Sequence, residues 1–478
     1  MRTATRDAVA LRRYLQRHAE TGLPEHVFST PHWQQVLVIP AYRESSALLE
    51  RLAQLPEGDG RTLVILVLNR PDSDTDPLAN AGLRDALAHS IPQQGRLPQE
   101  RLPQGRLPQA MRDTVPVHCL NLHTDLYLYD IEMLRGPTPG AQGVGLARKI
   151  GCDIALQWMA AGGISGHWLC STDADATLPT AYFAQLESAA PGAVAAVFPF
   201  RHMPGDDAAC THATALYELR LHHYVLGLEY ANSPYAFHTL GSSLAIRANA
   251  YAHVHGFPKR AGAEDFYLLN KLAKLGAVAR LQGDCIELQS RHSSRVPFGT
   301  GPAVAAIMAA EHANDAALFY HPQCFEALAA LLASLPALAA EPERAIAGLL
   351  RDHGLHALLA RHAETALDTL GIAAALAHCR RQSSTAAQFQ RHFHQWFDGF
   401  RTLKFIHALR DAGWPSCSLR ELEGLAPQLW PQPKTKPQSQ RHNQLERQPE
   451  PRIQPLAAEG VHNIEQLLRT LHQHWGWQ

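Results

Sequence analysis

Short apolar runs alternate with helical stretches through more than half of the chain. The segment 36–45 (VLVIPAYRES) is apolar up to Pro40, and 62–76 (TLVILVLNRPDSDTD) is apolar until it breaks into a polar loop. The stretch between them, 45–55, has the character of a helix. Apolar residues without polar alternation are typical of strands that are covered on both faces. The order strand, helix, strand therefore predicts a βαβ unit in a buried parallel sheet.

The same pattern continues to about residue 303. Further strands are predicted at 115–122 (VPVHCLNL), 167–179 (HWLCSTDADATLP) and 193–200 (AVAAVFPF), and helices at 143–161, 211–230 and 264–276. The last of these helices has apolar residues on roughly one face and Gly276 as its expected C-cap. The fold class predicted is α/β: a Rossmann-like, mostly parallel sheet flanked by helices and followed by an α-helical C-terminal region.

The strand signals stop after residue 303, where Ala/Leu-rich helical patterns begin. A repeat of Arg-Leu-Pro-Gln has a proline at every fifth position, which forbids a regular helix or a central strand. A Pro/Gln-rich stretch is poor in apolar residues and is interpreted as a disordered linker. The predicted organisation is an N-terminal helix (1–30), an α/β domain (31–302) with a low-complexity loop (92–109), a helical region (303–428), a linker (429–456) and a C-terminal helix (457–478).

Composition narrows the function classes. Among 478 residues, 43 basic and 44 acidic side chains give a net charge of −1. This balance argues against nucleic acid as a partner, because nucleic-acid binders carry a basic footprint. The eight cysteines include no Cys-x-x-Cys pair, which excludes zinc ribbons and dense disulfide frameworks and fits a reducing cytosol. The 28 histidines are scattered, with no close metal-binding pair on an obvious scaffold.

The sequence also bears on localisation. No apolar run is long enough for a transmembrane span. The first twenty residues lack the apolar core of a signal peptide and have the pattern of an amphipathic helix. A soluble, cytoplasmic protein is the expectation.

Two acids, Asp173 and Asp175, fall where a predicted strand ends. In open α/β sheets, ligands bind outside the carboxyl ends of the strands. In extended backbone the two carboxylates would point the same way and could share a divalent cation with a phosphate ligand. The alternative is an Asp-rich turn, after which 177–179 begins the next helix. These residues alone leave both interpretations open.

Two other pairs of charged residues also allow both a functional and a structural interpretation. Glu264 and Asp265 open a predicted helix, where acids can act as catalytic groups or simply complement the helix dipole. Arg148 and Lys149 lie near the start of another helix, behind a glycine-rich approach, which suits an anion such as a diphosphate. The alternative for this pair is two solvated bases on a surface helix.

Three segments of the chain together resemble the corresponding segments, or blocks, of the family 2 glycosyltransferases, which have the GT-A nucleotide-sugar fold. The segment VLVIPAYRES is similar to that family's opening strand and loop, and LCSTDADATLP to its Asp-x-Asp block. The segment GSSLAIRANAYAHVHGFPKRAGAEDFYLLNKLAKLG is similar to its acceptor block, which runs from a glycine to Glu-Asp. The blocks stand in the family's order and cover roughly residues 34–300. The resemblance implies a hexosyltransferase-type enzyme that uses a nucleotide-sugar donor.

The resemblance also implies roles for the acids. Asp173 would contact the nucleotide side of the donor or share the metal, and Asp175 would hold Mg²⁺ or Mn²⁺ on the diphosphate. Asp265 would be the general base of an inverting transfer, taking the proton of the acceptor hydroxyl. Glu264 would orient Asp265 or the acceptor.

Donor binding is expected from several further positions. Arg148 matches the Arg of a family segment whose next residue is Asn, where this chain has Lys149. The donor-binding residues expected in the loops after the first two strands are Pro40, Tyr42, Glu44, Asn69 and Asp72.

The segment 290–303 (SRHSSRVPFGTGPA) combines Arg, His, Ser and Gly. Its Arg291 and Arg295 are candidate partners of a diphosphate, since guanidinium groups pair well with phosphate oxygens. By the resemblance, His292 is a candidate third metal ligand. A plain loop with surface arginines is the alternative.

Two other functions remain as alternatives. A sugar-nucleotide nucleotidyltransferase would need a Gly-rich loop after the first strand, where this chain has AYRES. A non-catalytic nucleotide-binding scaffold would lack the acidic pairs, which are present. The acceptor stays open among lipid, glycan and small metabolite. The helical region could shape the acceptor site or serve as a homo-oligomer or peripheral membrane contact.

Overall fold

A computed structural model provides the fold. It describes residues 2–55, 58, 60–89, 115–205, 207–290, 299–310, 313–425 and 464–478. The predicted loop 92–109 and the predicted linker 429–456 lie outside these residues.

Strands are confined to the part of the chain before residue 290 among the described residues. They are β1 (Gln35–Ala41), β2 (Thr62–Leu68), β3 (Val117–Cys119), β4 (Thr124–Asp130), β5 (Trp168–Ser171), β6 (Ala176–Thr177), β7 (Ala195–Val197), β8 (Phe200–Met203), β9 (Leu244–Arg247), β10 (Val278–Arg280) and β11 (Ile286–Gln289).

Eight of the described strands form one sheet in the order β10-β7-β9-β5-β1-β2-β4-β3. The central pairs β5–β1, β1–β2 and β2–β4 are parallel, as is β10–β7. Strands β3 and β9 run antiparallel to their neighbours. A smaller sheet has the order β6-β11-β8. The mostly parallel sheet confirms the predicted α/β class.

Helices cover the large sheet, and the described chain after β11 contains helices without strands. Those up to residue 308 are α1 (Arg2–Arg17), α2 (Ala47–Leu52), α3 (Ala81–His89), α4 (Ile131–Arg135), α5 (Gly143–Ala160), α6 (Tyr182–Gln185), α7 (Ala208–Tyr230), α8 (Ala248–His253), α9 (Glu264–Leu272) and α10 (Thr300–Met308). The later ones are α11 (Pro322–Ala333), α12 (Leu335–Ala340), α13 (Ile346–Asp352), α14 (Ala357–Thr369), α15 (Ile372–Gln382), α16 (Ala386–Trp396), α17 (Gly399–Asp411), α18 (Leu419–Leu425) and α19 (Ile464–Trp475). The predicted helical C-terminal region is confirmed.

The structure adds strands that the hydrophobic pattern did not indicate, among them β4, β9, β10 and β11, and shortens one helix. Strand β4 begins with the polar residues Thr124 and Asp125, yet it is buried. Burial is tolerated because Asp125 accepts a hydrogen bond from Trp33 Nε1 (2.8 Å) and pairs with Arg61 (2.5 Å). Strand β9 is only four residues long. Helix α9 ends at Leu272, so Gly276 is not its C-cap.

Helix α5 lies directly on the parallel sheet because Gly151 leaves room for it. A Cβ atom at this position would come within 2.4 Å of Val38 Cγ1 and 3.0 Å of Val67 Cγ2. These valines belong to β1 and β2, and most of α5 is buried against them and against other apolar side chains. Close approach of helix to sheet is a common reason for glycine inside a helix.

The N-terminal helix is attached to α5 by a buried polar cluster. Asp153 is fully buried and accepts hydrogen bonds from Tyr14 Oη (2.5 Å) and Tyr251 Oη (3.1 Å). Lys149 pairs with the same carboxylate at 3.0 Å and donates to the His18 carbonyl at 2.8 Å. Lys149 is therefore a structural cation facing α1, and the interpretation of a solvated surface base is wrong for it.

Helix α7 joins two cores. Most of its length packs in the core on one side of the large sheet, with residues such as Leu216, Leu219 and Leu226. Its last turn, with Leu228, belongs to the core formed by α11 to α17. Gly227 admits Phe325 of α11, since a Cβ there would come within 2.4 Å of the ring. No described helix has the length and apolarity needed to cross a lipid bilayer.

Filling the space at Gly151 should loosen the sheet. Gly151→Val is expected to destabilise the protein by about 1–3 kcal/mol, because the added methyl groups overlap Val38 and Val67. Thermal unfolding followed by circular dichroism measures the change. Gly82→Ala is the control, since a Cβ there meets no atom within 4 Å and alanine favours α3. Equal midpoints for Gly151→Val and the wild type would contradict this packing.

Candidate active site

The carboxyl ends of three parallel strands meet at one edge of the sheet. Ala41 at the end of β1 is level with Leu68 at the end of β2, and Val38 is level with Ser171 at the end of β5. The loops that follow these strands begin with Tyr42, Asn69 and Thr172. The structure therefore brings the first block and the Asp-x-Asp block to the same edge, where ligands bind in such sheets.

The loops after β1 and β2 are tied to each other through Asp74. Tyr42 Oη donates a hydrogen bond to this carboxylate, and Arg43 pairs with both of its oxygens at 2.9 Å. Hydrogen bonds from Tyr42, from the Asp76 N–H and from Arg43 lower the pKa of Asp74 to about 2. Tyr42 is thus positioned by an anionic partner on the neighbouring loop.

The other expected donor-binding residues of these loops occupy different surroundings. Pro40 is buried within β1, and Glu44 is half-buried just beyond Tyr42. Asn69 is buried and its N–H donates to the Ala41 carbonyl at 3.0 Å. Asp72 Oδ1 accepts a hydrogen bond from the Gly140 N–H at 2.9 Å, which fastens this loop to the approach of α5.

Asp173 and Asp175 lie in a turn between β5 and β6. The Ala176 N–H donates to the Asp173 carbonyl at 3.2 Å, so the backbone here is not extended. The side-chain alternation argued from the sequence therefore does not apply. Asp173 keeps 39% of its side chain exposed, and Asp175 is half-buried beside it. A cavity of about 90 Å³ opens next to this turn, lined by residues of β1 and α2 together with Asp173.

Arg148 of α5 joins the Asp-x-Asp block to the acceptor block. Its side chain is only 2% exposed. Its guanidinium pairs with Asp173 and, at 2.9 Å, with Glu264 Oε1. Nη1 also donates to Ser171 Oγ at 2.7 Å. Burial alone would lower the pKa of Arg148, but the carboxylates of Asp173 and Glu264 outweigh it and raise that pKa. The guanidinium is therefore a permanent buried cation.

Three glycines make this arrangement possible. A Cβ at Gly241 would lie 2.5 Å from Arg148 Nη2, so this glycine gives the guanidinium its space. Gly145 packs against the backbone of 258–260, where a Cβ would meet the Pro258 carbonyl oxygen at 2.5 Å. Gly143 packs in the same way on Ala261. The glycines at the start of α5 thus allow its backbone to pack closely against the segment that leads to Glu264.

Glu264 and Asp265 begin α9 at a strained position. The residue before them, Ala263, has a left-handed backbone (φ +58°), which is uncommon outside glycine. Glu264 is buried and pairs with Arg148. Asp265 Oδ1 accepts a hydrogen bond from the neighbouring Phe266 N–H at 2.7 Å. Desolvation and the negative charge of Glu264 raise the pKa of Asp265 to about 7. An acid with this pKa exchanges protons near neutrality.

Helix α9 also contacts the helical region. Asn270 Oδ1 accepts a hydrogen bond from the Gly399 N–H at 2.9 Å, and Lys274 pairs with Asp398 at 2.5 Å. The rings of Tyr267 and Phe400 lie 5.8 Å apart. The start of α17 is therefore attached to the helix that carries the acidic pair.

The segment with Arg291, His292 and Arg295 lies outside the described residues. The strand before it, β11, pairs antiparallel with β6, with Leu288 opposite Ala176. Ala176 directly follows Asp175 in the sequence. The chain thus leaves β11 beside the Asp-x-Asp turn.

Sequence reasoning missed several residues that shape the site. Asp74 fixes Tyr42, Ser171 binds the guanidinium, and Gly241 makes room for it. Ser171 stands within the block LCSTDADATLP and Gly241 opens the acceptor block, so the signals were present. Their role could not be read without knowing where Arg148 points.

Comparisons with known proteins complete the description. No family model matches the chain, and no curated protein matches it. Among solved structures, it aligns with the mannosyltransferase PcManGT from Pyrobaculum calidifontis in complex with GDP-Man and Mn²⁺, at 17% identity and a TM-score of 0.33, over 81% of this chain and 93% of that one. It also aligns with S. aureus TarS, at 12% identity and a TM-score of 0.33, over 76% of this chain and 55% of TarS. Such TM-scores carry no functional weight, so function rests on the site itself.

Removing the cation at the centre of the site should be costly. Arg148→Met is expected to destabilise the protein by about 3–5 kcal/mol, because it leaves the buried carboxylate of Glu264 without a partner. Thermal unfolding gives the measurement. Arg344→Met removes an arginine from the exposed pairs with Glu341 and Asp352 and should cost about 1 kcal/mol or less. Similar losses for the two variants would contradict the central role of Arg148.

Proposed function

We propose that this protein is an inverting glycosyltransferase of the hexosyltransferase type, which moves a sugar from a nucleotide-diphosphate donor to an acceptor hydroxyl. The observation that carries the proposal is the pairing of Arg148 with both Asp173 and Glu264. This contact holds the carboxylate block suited to a metal diphosphate next to the acidic pair suited to proton removal. Both lie at the carboxyl edge of the sheet, where α/β enzymes bind their ligands.

The carboxylates suit a hard divalent cation. Asp175 and Asp173 offer oxygen atoms at a partly exposed turn, and Mg²⁺ or Mn²⁺ prefers such ligands. Few protein ligands are needed, because Mg²⁺ usually keeps waters and substrate phosphates in its shell. A bound cation would neutralise charge on the donor diphosphate. Asp175 is its proposed main ligand, with Asp173, itself held by Arg148, beside it and His292 as a further proposed ligand.

Asp265 is the proposed general base. Its carboxylate takes the proton of the acceptor hydroxyl while that oxygen attacks the anomeric carbon from the face opposite the leaving nucleoside diphosphate. One bond to the acceptor oxygen forms as the bond to the diphosphate oxygen breaks, which inverts the anomeric centre. Glu264 cannot share this role while it is held by Arg148, so it positions the start of α9 and raises the pKa of its neighbour.

Donor recognition is assigned to the loops at the same edge. Pro40, Tyr42 and Glu44 are proposed to contact the base, with Asn69 or Asp72 beside them. The hydrogen bond from Tyr42 Oη to the Asp74 carboxylate supports this, because it fixes an aromatic ring at the carboxyl end of β1.

The phosphate side of the donor is assigned to arginines. Arg291 and Arg295 are proposed to pair with the diphosphate, and the pairing of Leu288 in β11 with Ala176, the residue after Asp175, supports this. Arg148 is proposed to serve donor binding through its hold on Asp173.

The acceptor is proposed to bind between α9 and the helical region. The contacts of Asn270 and Lys274 with the start of α17 support this, since they place α17 against the helix that begins with the proposed base. Lipid, glycan and small-metabolite hydroxyls remain candidate acceptors, to be separated by assay.

Loss of the metal ligand should abolish turnover. Asp175→Ala is expected to lower metal-dependent turnover of a nucleotide sugar by about 100-fold or more, because electrostatic stabilisation of the leaving group is lost. A panel of nucleotide sugars and acceptors, assayed with Mn²⁺ or Mg²⁺ and with chelator, gives the measurement. Asp368→Asn, on the exposed face of α14, is the control. Release of pyrophosphate instead of nucleoside diphosphate would favour a nucleotidyltransferase, and unchanged turnover in Asp175→Ala would reject the metal site.

The pH profile should report the base. Activity needs ionised Asp265, so kcat/KM is expected to rise with pH through the neutral range. Glu264→Gln removes a charge that raises the pKa of Asp265, so the rising limb should move to lower pH. Asp265→Asn should lower kcat by about 100-fold or more and remove the limb. A limb that stays in place in Glu264→Gln would contradict the assignment of Asp265.

A further inference from the structure

A second group of metal-ligating side chains lies away from the proposed active site, between α7 and α19. Glu218 and His222 are one turn apart on α7, and His472 faces them from α19. One ligand atom from each of the three residues lies within 4.8 Å of the others. Glu218 Oε1 is 3.4 Å from His222 Nε2 and 3.3 Å from His472 Nε2.

The two imidazole nitrogens lie near Glu218 Oε1 without meeting hydrogen-bond geometry with it or with another atom of the described chain. Nε2 of His222 and Nε2 of His472 are both buried from solvent, and neither meets hydrogen-bond geometry with any atom of the described chain. The His222 side chain is completely buried. Leaving a buried polar nitrogen unpaired is unfavourable, so a missing partner is indicated between these atoms.

The remaining atoms of the cluster orient these ligands. Glu218 Oε2 accepts hydrogen bonds from the His202 N–H and from His202 Nδ1, both at 2.7 Å. His222 Nδ1 lies 2.9 Å from His238 Nε2. These contacts leave Glu218 Oε1 and His222 Nε2 directed at the common point. Ligands held from behind in this way are typical of protein metal sites.

The types of ligand atom in this group also favour a particular cation. Two imidazole nitrogens with one carboxylate oxygen match the ligands of Zn²⁺, whereas Mg²⁺ favours oxygen alone.

The surroundings point to a structural role. The rings of Phe200, Trp475 and Trp477 lie within 5.1–5.5 Å of the His222 ring and close the site off. The segment 464–478 is also held by backbone hydrogen bonds from Gly283 to Gly476 and from Cys285 to Gln478. Residues 426–463, which connect this segment to α18, are outside the described part of the chain.

We propose that Glu218, His222 and His472 bind one Zn²⁺ ion that fastens the segment 464–478 to α7. The ion supplies the partner that the two buried nitrogens need and links residues that are 250 positions apart in the sequence. A water molecule completes its shell as fourth ligand. This site is independent of the proposed transfer reaction, whose metal lies at Asp175.

Metal analysis of the full-length protein tests the proposal. After purification and dialysis against buffer with Mg²⁺, about one zinc per chain is expected by elemental mass spectrometry. His472→Ala should lower the zinc content about tenfold or more, because one of three protein ligands is lost. His474→Ala is the matched control, since this side chain is 42% exposed two residues further along α19 and faces Glu229. It should keep its zinc, as should Asp175→Ala.

Stability gives a second readout. A zinc chelator should lower the thermal midpoint of the wild type, and Zn²⁺ but not Mg²⁺ should restore it. The midpoint of His472→Ala should not respond to chelator. If His472→Ala fails to fold, Glu218→Gln replaces it, since the amide oxygen still accepts from His202 while the charge is lost. Protein that stays zinc-free after incubation with Zn²⁺ and desalting, or equal zinc in His472→Ala and His474→Ala, would overturn the proposal.

Discussion

The buried positive charge of Arg148 is the constraint on which the site depends. A guanidinium that is withdrawn from water must be paired, and its partners Asp173 and Glu264 come from two other parts of the chain. The contact requires α5 to lie close to the sheet and to the 258–261 segment, which Gly151 and Gly145 permit. The turn with Asp173 and Asp175 and the start of α9 are therefore fixed relative to each other by one side chain.

Much of the fold could be predicted from the sequence, because a strand that is covered on both faces leaves a local signature. The strands β1 and β2 are such cases, and so is the position of the acidic pair at the start of α9. Polar strand residues with distant partners, such as Asp125, leave no such signature. The same limit applies to Arg148 and Lys149, since only the fold reveals that both are buried on carboxylates. The Arg148 partner Glu264 is 116 positions away.

Helix α7 illustrates a different limit. It has no single apolar stripe, because it is covered on most sides by two cores and by α19. Its pair Glu218 and His222 is local in the sequence, yet acids and histidines at this spacing are common on solvated helices. Only the approach of His472 adds a third side chain of ligating type to the pair, a grouping that the sequence did not indicate.

The electrostatics of Asp265 follow from the same pairing that stabilises the site. Desolvation and the charges of Glu264 and Asp173 favour its protonated form, whereas Arg148 favours the ionised one. If Glu264 and Asp173 stood there without the guanidinium, three carboxylates would repel one another and Asp265 would stay protonated at neutral pH. If Arg148 paired with Asp265 directly, the carboxylate would be too weak a base to take a proton. Holding Arg148 on the two neighbours keeps the pKa of Asp265 between these limits, as its proposed role as general base requires.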